Sequence, residues 1–482
     1  MSRPNISVVI PVFQRPVELG RTLRSLRGQS MVPERFEVIV VNDGDASTLG
    51  EEAVRTGSGL PGFRVIQNER NMGVAGARNA GARVASGEVL LFLDVDCMAG
   101  ENLLTAHHEA QLRRPMAACG NTFGREWVPD VWRVHYGEEW PWDDAPAALA
   151  AASADAVLRD PLEDLLADPS PLDWAFFWTT NVSVPRDVFT AVGGFHEAFD
   201  VKGVEDMELG RRLAHAGLPI TFLPDARALH QPHERDRLKE LRRDRRNEET
   251  LLSLHPFLDT EAICAFDSVN AKRMYAALLR FAARIPSRSM DCAHLPSLPV
   301  VVERLRSGPT VLLLGDPSGW PADLSPPATV VHPGRHPAEA GRLALLGVKL
   351  PLRSQSHDLA IVTDYWRHFP ERTLTRVLKE AARCAKQVLL LSGVSTDPAP
   401  WPDAELSAAL AAGDRPFWEW AVSVPRELHQ FCFSAFDEGF SASEQGGWAL
   451  RARAMDVRVR AGRPDERRPG RADERGGPVT CG

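Results

Sequence analysis

The feature that most constrains this chain is an alternation of short apolar runs with segments of helical spacing, each run stopped by a polar or glycine-containing turn. Ile6 to Ile10 is closed by Pro11, and Leu19, Leu23 and Leu26 follow at helical spacing. Phe36 to Val41 ends in Asn42-Asp43-Gly44, and Phe63 to Gln67 is a weaker run. Val74 to Ala85, rich in Ala and Arg, reads as a helix, and Glu88 to Leu93 ends in Asp94-Val95-Asp96. Such a pattern predicts an α/β fold with a mainly parallel sheet covered by helices. Ligands of such sheets bind beyond the carboxyl ends of the strands, where Asn42-Asp43 and Asp94-Val95-Asp96 stand.

The alternation restarts at Thr310. Val311 to Leu314 ends at Gly315; Ala328 to Val331, Asp358 to Thr363 and Gln387 to Leu391 read as further strands, and Leu374 to Ala385 as an amphipathic helix. This gives a first α/β domain over 1–250, a helical linker over 251–305, a second α/β domain over 306–460 and a tail over 461–482. The tail has too few apolar residues to build a core. At roughly 100–200 residues per domain, 482 residues fit such a plan. Between the two alternations lie a densely charged stretch at 234–250, read as a solvated helix, and a segment at 115–180 holding six of the twelve tryptophans. Aromatic faces stack on sugars, but most such tryptophans serve packing.

The formal net charge is -8, which gives no general attraction to nucleic acid or anionic membranes. Seven cysteines without a C-x-x-C pair argue against a disulfide framework or a Cys-rich zinc site. No run is long and apolar enough for a membrane span, and no signal-peptide pattern stands at the N-terminus. The expected compartment is the cytoplasm.

Four further segments carry chemistry, and each has a bland alternative. Asp94 and Asp96 at a sheet edge can hold a hard divalent cation, or form a solvated acidic loop. In Asn71 to Gly81, Arg78 can pair with phosphate oxygens, or lie in a tightly packed Ala/Gly helix. In Gly203 to Leu213, Glu205 and Asp206 fall in a helix first turn, where the dipole favours ionised carboxylates. One of them can act as a general base, or both can simply complement the dipole. His230 follows a short apolar segment and can complete a metal site. His233 competes with it, and His230 is preferred because it directly ends the strand-like run.

Taken together, Ser7 to Phe13, Val40 to Gly44, Asn71 to Gly81, Asp94-Val95-Asp96, Val192-Gly193-Gly194-Phe195, Glu205-Asp206 and His230 resemble glycosyltransferase family 2 over about residues 5–235. The resemblance implies a GT-A fold, a nucleotide-sugar donor, more often UDP than another, a divalent Mn or Mg ion, and inversion at the anomeric carbon. It implies Asp206 as catalytic base and Glu205 as an acidic sugar contact. It implies Pro11, Val12, Phe13, Asp43, Arg78, Asp94 and Val95 as donor contacts, Asp43 reading the nucleobase, and Asp96 and His230 as metal ligands. Asn42 departs from the family, which often has a second Asp there. The second domain resembles class I methyltransferases in Val311 to Gly319 and in Leu350 to Val362. Leu313, Pro317 and His332 replace the acid, glycine and ribose-binding acid expected there, so S-adenosylmethionine is not expected to bind. The reading is thus an inverting glycosyltransferase acting on a carbohydrate or natural-product acceptor, with homo-oligomerisation left open. Its alternatives are a bifunctional glycosyl- and methyltransferase, a non-catalytic nucleotide-sugar-binding scaffold, and a nucleotidyltransferase, for which no Gly-rich N-terminal loop speaks.

Overall fold

The structure, a computed structural model, describes residues 4–44, 49–125, 140–199, 203–233, 237–285, 290–333, 340–364, 366, 369, 371–392, 431–439 and 452–459. Trp127, Trp132 and the 461–482 tail lie outside the described residues.

The first sheet holds β1 (Ile6–Val12), β2 (Phe36–Asn42), β3 (Arg64–Gln67), β4 (Val89–Leu93), β5 (Cys97–Ala99), β6 (Ala117–Phe123), β7 (Asn181–Pro185) and β8 (Ile220–His230), in the order β3-β2-β1-β4-β7-β6-β8-β5. β3, β2, β1 and β4 run parallel. β1 and β2 are buried at every position, as expected of strands covered on both faces. Pro11 lies inside β1 without penalty, because pairing with β4 has ended at Val9 and no partner misses its N–H. The far half of the sheet is mixed rather than parallel. β7 opposes β4 and β6, β8 runs parallel to β6, and β5 opposes β8. The β5–β8 register sets Cys97 opposite His230. A residue at the end of a long strand is thereby brought beside Asp96.

The 234–250 stretch lies largely in a helix, Arg237–Leu254, whose Asn247, Leu251 and Leu252 are buried, so one flank of it packs. Helices Leu258–Phe266, Ser268–Arg284 and Pro299–Arg306 complete the bridge. The second sheet contains β9 (Val311–Leu314), β10 (Thr329–Val331), β11 (Arg342–Leu343), β12 (His357–Val362), β13 (Ala385–Ser392), β14 (Phe431–Gly439) and β15 (Ala452–Val459), ordered β11-β10-β9-β12-β13-β15-β14. Its first five strands are parallel and β15 opposes both β13 and β14.

One apolar cluster runs through both sheets and the bridge, taking in Val9, Phe92, Leu258, Phe266, Leu312 and Val377. The fully buried Glu261 of the bridge helix accepts from the backbone N–H groups of Leu346, Gly347, Val348 and Lys349 at 2.6–3.2 Å. Burial pushes its carboxyl up to about 7 against the pull of those four donors.

Candidate active site

The carboxyl ends of β1, β2 and β4 face one region. At the end of β2, Asp43 is buried and its Oδ1 accepts from Asn68 Nδ2 at 2.7 Å and from the Met72 N–H at 2.8 Å. It thus ties the β2 end to the start of helix Gly73–Val84. Asn42 donates to Gln67 Oε1 at 2.8 Å and accepts from the Gly44 N–H at 3.2 Å. Gln67 Nε2 is itself held by the carbonyl of Gly44 at 2.6 Å, so its oxygen must face residue 42. A carboxylate at position 42 would set oxygen against oxygen, which accounts for the amide. Val12 is buried and its carbonyl accepts from the Asp43 N–H at 2.9 Å, whereas Phe13 is half exposed. Pro11 and Val95 line the same end of the sheet; the Val95 carbonyl accepts from Thr22 Oγ1 at 2.8 Å.

Arg78 offered two readings, a phosphate contact or a place in a tightly packed helix. It is 1% exposed, with Nη2 on Asp94 at 2.8 Å and Nη1 on Glu205 at 2.9 Å. Its guanidinium also lies over the Phe195 ring. Burial works against its charge, but Asp94 and Glu205 outweigh that and raise its pKa above the ordinary arginine value. Arg78 is therefore an internal strut between the end of β4 and helix Glu205–His215. The other oxygen of Glu205 accepts from the Gly203 N–H at 2.6 Å, and the side chain is buried. Glu205, expected as an acidic sugar contact, thus has a protein partner on each oxygen.

Asp206, next on the same helix, points elsewhere. Its Oδ2 accepts weakly from Thr179, at 3.3 Å from the N–H and 3.5 Å from the hydroxyl. Burial and the neighbouring Glu205 charge push its carboxyl above the usual carboxylate range, against the pull of Arg78. That suits a proton acceptor at neutral pH. The helix starts from Val204 in the left-handed region, at φ 69°. Such strain in a β-branched residue costs on the order of 1–3 kcal/mol and turns Glu205 inward. The same helix is anchored behind the site. Arg211 pairs with Asp259 at 2.8 Å, and Glu208 with His255 at 2.9 Å and with Arg212. Burial alone would raise Glu208, but His255 and Arg212 more than offset it and hold it at about 2.

Asp96 is buried, with Oδ1 3.5 Å from His230 Nε2 and Oδ2 3.4 Å from His233 Nδ1. One ligand atom from each of the three residues lies within 4.8 Å of the others. An oxygen and two imidazole nitrogens converging at this range suit a divalent transition ion. His233, passed over in favour of His230, stands with it; the i, i+3 spacing past the strand end was the available signal.

Two further residues were not legible as site residues. Thr180, at the start of the β7 segment, accepts from the Asp94 N–H at 3.0 Å, and its hydroxyl accepts from Arg125 Nη1 at 2.7 Å. Arg125 also pairs with Asp160 at 3.3 Å and lies over the Trp178 ring. Of the four described tryptophans of the 115–180 stretch, Trp174 is core, and Trp140 and Trp142 pack on each other at 5.8 Å. Trp178 carries the Arg125 guanidinium over its ring.

The family model described as "Glycosyl transferase family 2" matches residues 7–161, and that described as "N-terminal domain of galactosyltransferase" matches residues 169–234. The validoxylamine A glucosyltransferase of Streptomyces hygroscopicus subsp. limoneus is 34% identical over 285 residues, 56% of this chain and 62% of that protein. Its namesake in Streptomyces hygroscopicus subsp. jinggangensis is 33% identical over 285 residues, 56% of this chain and 67% of that protein. The chain belongs to glycosyltransferase family 2. Its N-terminal part is the GT-A glycosyltransferase domain, followed by a second α/β region built on a mainly parallel sheet. The chain spans less than two thirds of the first relative's length. Among solved structures, a mannosyltransferase of Pyrobaculum calidifontis in complex with GDP-Man and Mn2+ is similar at 18% identity and TM-score 0.40, covering 64% of this chain and 80% of that one.

Proposed function

We propose that this family 2 glycosyltransferase moves a hexosyl group, glucosyl first among candidates, from a UDP-sugar to a hydroxyl of a natural-product acceptor, with inversion. The observation that carries the reading is the Asp94–Arg78–Glu205 bridge. It fixes Asp94, just past the end of β4 and two residues from Asp96 of the Asp96/His230/His233 group, to the helix that presents Asp206. A leaving-group site and a base are thereby held on one frame. The glucosyl and natural-product assignments rest on the names of the two Streptomyces relatives.

Asp96, His230 and His233 fit a divalent cation, Mn or Mg, which when bound supplies positive charge for the departing diphosphate. Asp43 and the backbone of Pro11 to Phe13 take the nucleoside end. Asp206 accepts the proton of the acceptor hydroxyl as its oxygen attacks the anomeric carbon. Glu205 keeps the base helix in place through Arg78 and sharpens Asp206 by its charge. The test is a donor screen with the purified chain, reading nucleotide release from UDP-, GDP- and TDP-hexoses with and without Mn. Release confined to a non-UDP donor would change the donor assignment; release from none, with acceptor present, would remove the catalytic reading.

We read the second region, over about 306–460, as a methyltransferase-type fold without its cofactor. Its strand order, with the final antiparallel pair, supports the fold reading. The loop after β9 supports the loss. The Asp316 N–H is taken by the Met290 carbonyl at 2.5 Å, and the Ser318 carbonyl by the Cys292 N–H at 2.7 Å. A Cβ on Gly319 would meet the Ala293 backbone at 2.7 Å. The chain's own linker thus engages the backbone of that loop, which supports the reading that the cofactor is lost.

A further inference from the structure

A groove of about 830 Å³ runs along the outer flank of helix Gly73–Val84, between it and helix Arg186–Ala191. Arg70, Arg83 and Arg186 line it, against one carboxylate, Glu197. Arg78, on the inner flank of the same helix, is consumed by Asp94 and Glu205. The three groove arginines make no ion pair among the described residues, and the Arg186 Nε–H is buried without an acceptor. A protein whose net charge is -8 thus carries an excess of positive charge along this groove. A buried N–H left unpaired is destabilising, and an anion seated in the groove would relieve it.

The groove belongs to the active-site frame. Its wall at 192–195 is pinned from one side by Asn79, which exchanges two 2.9 Å hydrogen bonds with the Phe195 backbone. From the other side Arg212 of the base helix holds the carbonyls of Val192 and Gly194. Gly194 sits at φ +69°, and a Cβ there would strike Asn79 Oδ1 at 2.7 Å, so the wall cannot shift outward by substitution. Phe199, at one end of the groove, packs with Val204, which precedes Glu205. Met72, at the other end, is held by Asp43. Two lining residues, Met72 and Phe199, thus touch residues that border the site, Asp43 and Val204.

We infer that this groove binds a phosphate monoester on the acceptor, an inference that rests on the glycosyltransferase reading above. Three guanidiniums offer planar forks suited to phosphate, and Arg212 ties the groove wall at Val192 and Gly194 to the helix that carries Asp206. Either a soluble sugar phosphate or a lipid phosphate carries this group. The full chain, saturated with UDP and Mn to fill the donor site, is titrated calorimetrically with glucose 6-phosphate and with glucose. Vesicles containing phosphatidic acid are assayed in parallel by flotation. The phosphate ester binds at least about tenfold more tightly than glucose, and the exposed-site variants Arg70→Ser and Arg83→Ser each lose about tenfold of that affinity while binding UDP as wild type does. Flotation with phosphatidic acid that the same variants abolish assigns the lipid source, and its absence assigns the soluble one. Equal binding of glucose and its phosphate, or variants that bind the ester as wild type does, overturns the inference. Failure of UDP itself to bind counts against the donor reading alone, because the ester titration still reads the groove.

Discussion

The two sheets of this chain treat the same architectural position in opposite ways. Both place a polar turn at the carboxyl end of a central strand, where α/β sheets bind ligands. After β4, Asp94 and Asp96 stand at the sheet edge, with His230 and His233 brought in by the pairing of β5 with β8. After β9, the corresponding loop is filled from within: Met290 and Cys292 take its backbone groups, and the Ser318 N–H and hydroxyl turn back onto Asp316 at 2.8 and 2.6 Å. A site needs polar groups that the fold holds but does not consume. The first sheet keeps Asp96, His230 and His233 together at its carboxyl end, whereas the β9 loop turns much of its polar inventory onto the chain itself.

The contrast is broken most severely at Asp206. Asp206→Asn keeps the shape and removes the basicity, so kcat should fall by roughly 10²–10⁴-fold with the KM for the donor little changed. Near-normal turnover would show that another group takes the proton. Wild-type activity should also decline on acidification well above the ordinary carboxylate range, because the Asp206 carboxyl is raised and its proton blocks the base. A profile flat down to the usual carboxylate range would contradict that.

Next in size is Arg78→Met. It leaves Asp94 and Glu205 buried without their counter-charge, a loss of about 3–5 kcal/mol, read as a lower thermal midpoint together with lost activity. A variant as stable as wild type would mean that the strut carries no load.

Glu261→Gln gives a smaller effect at the seam between the two regions. The Glu261 carboxyl is raised from its ordinary 4.5 to about 7, so the folded state holds its proton more tightly than the unfolded chain. That contribution is complete below about 4.5 and is lost as pH rises through 7. The stability advantage of wild type over Glu261→Gln should therefore narrow across that window in denaturant titrations. A gap that widens with pH would reverse the assignment.

The smallest expected effect is none at all. S-adenosylmethionine titrated into the full chain should give no binding heat at millimolar ligand, and micromolar binding would place a live site in the second sheet.

Much of this was legible in the residues. Strands such as Val311–Leu314 and helices such as Gly73–Val84 announce themselves by short-range periodicity, and the carboxylates at strand ends follow from it. Partnerships across the fold do not. Arg78 reads as an open phosphate hook because a sequence does not show that Asp94 and Glu205, 16 and 127 residues away, close around it. His233 looked like a rival of His230 because the convergence of both on Asp96 depends on the β5–β8 register. The mixed half of the first sheet escaped for the same reason: β6 to β8 carry no local sign of direction. The Met290–Cys292 plug arises where the linker meets the second sheet, and neither segment alone indicates it.

The account rests on the edge of the first sheet being a metal-assisted nucleotide-diphosphate site. Calorimetric titration of UDP into the wild-type chain and into Asp96→Ala, each with and without Mn, tests this most directly. Wild type should bind UDP at least about tenfold more tightly when Mn is present, the scale on which metal-site changes alter affinity, and Asp96→Ala should show no such difference. Equal UDP affinity in wild type with and without Mn would contradict the claim.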